Sequence, residues 1–287
     1  MQYTRRDFVG LAAAAVPAFG ALVANRPDSK VNGVQIALNV PYNFGSRTMD
    51  GDEVLRRTVD LGVSAVELRS QPVEQFAGGR PASIEKAREF RRKYDDAGVK
   101  IEIVKFDDVY READATIDYF FELTHALGAR ALSCEISLGP GGRGPLSEKD
   151  TQRLGRFADK HRIMVGYHGH TETTPEMWET AFGYAKYNGA NLDLGHFVAG
   201  NNASPIPFLK KHHDRITHIH VKDRKLHDGP NVPFGEGDTP IVEALRLIRD
   251  NKWNIQATIE FEYPVPPGSD RMIEMAKCIQ YCRKALA

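Results

Sequence analysis

Short apolar runs recur along the chain, each followed by a polar or glycine-containing turn and then a stretch of helical period. They are VQIALNV from Val34, SAVELRS from Ser64, KIEIVKF from Lys100, RALSCEIS from Arg130, IMVGYHGH from Ile163, NLDLGHF from Asn191, THIHVKDR from Thr217 and IQATIEFEY from Ile255. Their starts lie 26 to 38 residues apart, the length of one strand–helix unit. Between them DEVLRRTVDLG and SIEKAREFRRKYDDAG carry apolar residues at helical spacing. The first opens on the acidic residues of MDGDE and the second closes at Gly98, which are ordinary helix start and stop signals. Eight such units predict a single-domain α/β fold, a closed (β/α)₈ TIM barrel over residues 31–287. A doubly wound open sheet is the alternative, but no glycine-rich dinucleotide loop follows the first strand. The glycine-rich GPGGRGPLSEKD lacks the Lys-Ser/Thr ending of a phosphate loop and reads as cover for the barrel mouth.

Residues 1–30 do not share this rhythm. TRRDFVGLAAAAVPAFGALVAN has paired Arg5 and Arg6, a mild apolar run and a small-residue exit, the form of a twin-arginine-type export signal. The run is short for a membrane span, so export without a stable membrane anchor is expected, to the periplasm or another extracytoplasmic space. With 38 basic and 38 acidic residues the chain has no net charge, which argues against a nucleic-acid partner. Cys134, Cys278 and Cys282 are too few for a disulfide framework, and a bridge within one helical turn is awkward, so all three read as packing residues.

In a barrel of this kind the active site lies at the C-terminal strand ends. The ionisable residues gather there: Glu67, Lys105, Glu135, His168 with His170, Asp193 with His196, His218, His220 and Lys222, and Glu260 with Glu262. A carboxylate inside an apolar strand is costly without compensation. Carboxylates and imidazoles on successive strand ends call for a common partner, and one divalent cation serves them all. Mixed oxygen and nitrogen ligands without thiolate suit Mn, Mg, Co or Zn, with manganese taken first. His170, His196, Lys222, Arg224, Glu67 and Lys105 are read as substrate contacts.

NLDLGHF, HIHVKDR, VPFGEGDTP and ATIEFEY, in this order, resemble the xylose-isomerase-like sugar isomerase and epimerase superfamily over most of residues 31–287. The resemblance implies one divalent metal held by Glu, Asp, His and Glu from the later strands. Carried over, Asp193, His220 and Glu260 supply three of the four. The fifth-strand ending is where the chain departs, because YHGH puts His168 where many relatives have the first glutamate. Either His168 ligates directly, or Glu135 supplies the missing carboxylate while His168 faces substrate; the second arrangement is the one taken here. The resemblance further implies abstraction of a proton next to a sugar carbonyl through a metal-stabilised enediolate, with Glu135 and Glu260 as proton carriers and His168 as the alternative. The expected partner is a non-phosphorylated keto sugar or glycoside, a second copy of the chain is a further option, and a keto-glycoside lyase or a non-catalytic sugar-binding barrel are the competing readings.

Overall fold

The computed structural model describes residues 26–287 apart from residues 108, 140 and 141. The signal-like segment therefore lies, up to residue 25, outside the described residues. Ser29 already belongs to the barrel: its hydroxyl donates to the Ile36 carbonyl at 2.6 Å, and Lys30–Val31 pairs antiparallel with the first barrel strand. Among the described residues no helix is long and apolar enough to cross a membrane.

Eight parallel strands form the ring: β1 (Val34–Val40), β2 (Ala65–Arg69), β3 (Lys100–Lys105), β4 (Ala131–Glu135), β5 (Met164–His168), β6 (Asn188–Asp193), β7 (Ile216–Val221) and β8 (Gln256–Ile259). Each pairs with the next and β8 returns to β1, so the sheet closes as the sequence predicts. Local signals place the helices. Asp50 accepts from the backbone N–H groups of Asp52 and Glu53 to start the helix Gly51–Asp60. The helix Ile84–Asp96 gives way to Gly98 at φ 81°, in the left-handed region open to glycine.

The strands differ from expectation at two ends. NLDLGHF is not one strand: β6 stops at Asp193, whose carboxylate accepts from the His196 N–H at 2.8 Å and opens the helix Leu194–Asn201. His196 thus lies in a first helical turn. β8 stops at Ile259, leaving Glu260 and Glu262 just past the ladder.

Alternation explains what faces where. Side chains two apart share a face, and both faces of a barrel strand are covered. Leu132 and Cys134, Val165 and Tyr167, Ile219 and Val221, and Ala257 and Ile259 form an apolar row under the helices. The residues between them, Ser133 and Glu135, Gly166 and His168, His218 and His220, and Thr258 and Glu260, form the inward row. Register then matches Glu135 with His168 and Asp193 with His220. All three cysteines are free and buried, as packing residues should be.

Gly166 keeps the inward row open. A Cβ there would sit 2.3 Å from the Thr217 hydroxyl, which is pinned between the Ala190 carbonyl and His218 Nδ1 at 3.0 and 2.9 Å. Gly166→Ala is expected to cost about 1–3 kcal/mol in urea unfolding. Gly183→Ala, where the added carbon meets nothing within 4 Å, should be neutral or stabilising by up to about 1 kcal/mol.

Candidate active site

At the C-terminal end of the ring one donor atom each from His168, Asp193, His220 and Glu260 lies within 4.8 Å of the others, and all four residues are buried. His168 Nε2 stands 3.4 Å from Asp193 Oδ2, and His220 Nδ1 stands 3.6 Å from Asp193 Oδ2 and 3.3 Å from Glu260 Oε2. Other triplets, such as His168, His170 and His196, are equally compact. Among the described residues, only the four-residue group joins two carboxylates to two imidazoles from the ends of four consecutive strands.

The second nitrogen of His220 decides what this group can hold. Glu67 lies one inward position below Arg69 at the mouth and is fully buried; its Oε2 accepts from His220 Nε2 at 2.7 Å. Burial opposes charge on Glu67, but His220 and His218 outweigh it and hold its carboxyl well below the usual range. With the Nε2 proton fixed on Glu67, His220 turns a bare Nδ1 toward Asp193 and Glu260. That nitrogen has no hydrogen-bond partner although it is buried, and Glu260 Oε2 is met by the Lys222 ammonium at 2.6 Å. A bare buried nitrogen facing two carboxylates with no proton between them calls for positive charge at that point. A second proton on His220 is one answer: burial resists it, while Glu260 and Glu67 raise the pKa well above its ordinary value. A divalent cation is the other, and the carboxylate behind the ligating imidazole is the usual support of a metal-bound histidine. The donor set therefore fits a divalent metal.

Glu135 lies outside that group. It stands behind His168, its Oε2 2.9 Å from His168 Nδ1 and from His170 Nε2, its Oε1 2.7 Å from Lys105 Nζ. The expectation has Glu135 as the fourth ligand and His168 at the substrate; the compact four-residue group contains His168 instead and leaves Glu135 behind it. β4 ends one strand further from Asp193 than β5 does, and the His168 ring fills the gap. Burial raises the Glu135 pKa less than His168 and Lys105 lower it, so the carboxyl is held ionised, well below its usual range.

The residues read as substrate contacts divide. His170 is half-exposed at the mouth, and its imidazole stacks on His196 at 4.7 Å. Gly169 between the two histidines has no room for a side chain, because a Cβ would meet Trp178 at 2.4 Å. Lys105 lines the cavity beside Glu135. Lys222, Arg224 and Glu67 do not reach the cavity. Lys222 is 1% exposed, its ammonium among Glu260, Glu262 and Asp193 at 2.6, 2.6 and 3.1 Å. Arg224 backs onto His196 Nδ1 at 2.9 Å and clamps the Gly229 carbonyl. His196, between these two cations, is kept neutral: burial lowers its pKa further than Asp193 can raise it.

Several contributors were not singled out in the sequence. Asn39 donates to Glu260 Oε1 at 2.7 Å, and the Tyr42 hydroxyl donates to Glu262 Oε1 at 2.7 Å. Arg69 pairs with Asp107 across the second and third strand ends. Asp223 gathers VPFGEGDTP around itself, accepting from the N–H groups of Gly235, Gly237 and Thr239 at 2.8, 2.9 and 3.2 Å. Asn39 carried the clearest sequence signal, an amide at the C-terminal end of the apolar run VQIALNV.

The open space above the cluster is a cavity of about 260 Å³ lined by Tyr42, Arg47, Arg69, Lys105, Asp107, Glu135, His168, His170, Glu260 and Glu262. A second, of about 470 Å³, shares Tyr42, Arg47 and Glu262 with it. A larger depression of about 550 Å³ between Ile241 and Tyr281 contains none of the clustered groups and is set aside.

Residues 55–282 match the family described as the xylose isomerase-like TIM barrel. No curated protein matches the sequence. Among solved structures, a xylose isomerase domain protein from Planctomyces limnophilus has a TM-score of 0.66 and 17% identity, covering 90% of this chain and 98% of its own. A 3-keto-D-glucoside 4-epimerase from E. coli has a TM-score of 0.65 and 12% identity, covering 88% and 99%. A probable 3-DHS dehydratase from Bacillus anthracis has a TM-score of 0.65 and 15% identity, covering 86% and 99%. At such identities the likeness is one of fold.

Glu67→Gln keeps the shape behind His220 but removes the charge that fixes its proton. Affinity for Mn²⁺, measured by isothermal titration, should fall about 10–100-fold with the fold intact by circular dichroism. An unchanged affinity would show that Glu67 does not orient a ligand.

Proposed function

The chain belongs to the xylose isomerase-like TIM barrel family, and on that premise we propose that it is a divalent-metal-dependent sugar isomerase or epimerase. The observation that carries this is the buried group of His168, Asp193, His220 and Glu260 beneath a cavity whose rim holds a further ionised carboxylate, Glu135. His168 Nε2, one oxygen each of Asp193 and Glu260, and His220 Nδ1 are the donors for the metal. When bound, a divalent cation supplies Lewis-acid polarisation of a substrate carbonyl, which acidifies the neighbouring C–H.

The chain's own residues do the rest. Glu135 is ionised, lines the cavity and is oriented by Lys105, His168 and His170, so it is the base for the α-proton. Glu260, just past the strand across the ring, is the second carrier, with its Oε1 held by Asn39. Proton return to the opposite face gives epimerisation, and return to the neighbouring carbon gives isomerisation. Each positioned acid or base contributes about 10²–10⁴-fold. Tyr42 stays protonated, since burial and the Glu262 hydrogen bond push its pKa up to about 12, and it offers its edge of the cavity a phenol rather than a phenolate.

The adjoining cavities of about 260 and 470 Å³ favour a substrate with more than one ring or a sizeable aglycone, a keto-glycoside rather than a free monosaccharide. The solved 3-keto-D-glucoside 4-epimerase, of the same fold, is consistent with that class. The twin-arginine-type N-terminus supports action outside the cytoplasm on a non-phosphorylated compound, with manganese as the first metal to try.

Elemental mass spectrometry on protein purified without chelators should find about one divalent ion per chain, absent in Asp193→Asn. In D₂O with a panel of keto-glycosides the loaded protein should place deuterium beside the carbonyl, and Glu135→Gln should slow this at least about 100-fold. A folded chain that takes up no metal from added Mn²⁺ or Co²⁺ would end this reading and leave a sugar-binding barrel.

A further inference from the structure

We propose that Lys222 is a built-in counter-ion of the metal site, competing with the divalent cation for Asp193 and Glu260 and thereby setting how tightly that cation is held. The inference rests on the metal reading above.

Lys222 Nζ lies 2.6 Å from Glu260 Oε2 and 3.1 Å from Asp193 Oδ2. Those two oxygens are also the ones nearest His220 Nδ1, at 3.3 and 3.6 Å. An ammonium and a dication drawing on the same oxygens repel one another, and burial out of water strengthens that repulsion. Lys222 is 1% exposed, so solvent does little to screen it.

The side chain is built into this position. Its stem runs under the first turn of the helix Leu194–Asn201, where a Cβ on Gly195 would meet Lys222 Cγ at 2.4 Å. Lys222 is absent from the cavity lining, so a grip on substrate does not explain it. Asp193, Glu260 and Glu262 stand 3.1, 2.6 and 2.6 Å from its Nζ, three carboxylates around one amine, which is the setting of an ammonium.

An alternative partner stands ready. Lys222 also donates to Glu262 Oε2 at 2.6 Å, and that carboxylate lies outside the four-residue ligand group. When Asp193 and Glu260 turn to a dication, the ammonium stays paired with Glu262. Before metal is acquired, the same ammonium neutralises carboxylates that would otherwise repel one another in the closed barrel. The arrangement separates folding from metal loading, at the cost of a weaker hold on the metal.

Titration of the full chain with Mn²⁺, by calorimetry or competition with a fluorescent chelator, tests this. Lys222→Met removes the charge and keeps most of the length; its Kd for Mn²⁺ should fall at least tenfold at unchanged stoichiometry, while its metal-free Tm falls and recovers on adding Mn²⁺. Lys222→Arg keeps the charge and should stay within a few-fold of the parent. Lys105→Met removes a nearby ammonium that pairs with Glu135 and should tighten binding much less. Should Lys222→Met not fold, Lys222→Gln is the second uncharged variant, with the same expectation. Equal or weaker binding in the uncharged variant overturns the proposal, as does an equal gain in Lys105→Met, which would reduce the effect to the general field. Binding by the Lys222 variant but not by the parent supports the competition while overturning the metal-dependent function. No binding by either overturns both.

Discussion

The mouth of this barrel is organised by a demand for positive charge around one buried nitrogen. His220 gives its Nε2 proton to Glu67 and leaves Nδ1 facing the carboxylates of Asp193 and Glu260. Buried acceptors in that relation do not coexist without a cation. The surrounding side chains follow from that requirement: His168 completes the group, Asn39 holds the other oxygen of Glu260, and Lys222 brings a fixed charge to the same oxygens. Glu135 stands outside that group and is held ionised at the edge of the cavity.

The barrel makes this arrangement affordable. Because each strand is covered on both faces, an apolar row packs beneath the helices while the inward row can be almost wholly polar near the mouth. Parallel register brings Glu135 beside His168 and Asp193 beside His220. Groups more than a hundred residues apart in the chain, such as Glu67 and His220, thereby meet at hydrogen-bond distance.

The fold was legible because the apolar runs recur at the spacing of a strand–helix unit and the alternation within each run survives in the closed sheet. The mouth was legible because ionisable residues break those runs at one end. Depth was harder to read. Glu67 and Arg69 share an inward face, but two residues of strand rise put Glu67 about 7 Å deeper, so a residue taken for a substrate contact supports His220 instead. Lys222 and Arg224 follow β7 and read as substrate contacts, yet both are buried there, and Asp223 ties the returning loop to itself. The choice between Glu135 and His168 depends on which way one ring leans across the gap between β4 and β6, and no run of letters carries that angle. His196 was misplaced because an aspartate ending a strand can also cap the next helix.

The most direct measurement is the anomalous diffraction signal of crystals of the chain soaked in Mn²⁺, collected at the manganese absorption edge. The account predicts a single peak bonded to His168 Nε2, Asp193, His220 Nδ1 and Glu260, with Glu135 outside the coordination sphere and Lys222 turned to Glu262. A peak bonded to Glu135 in place of His168, or none at the barrel mouth at saturating Mn²⁺, would contradict it.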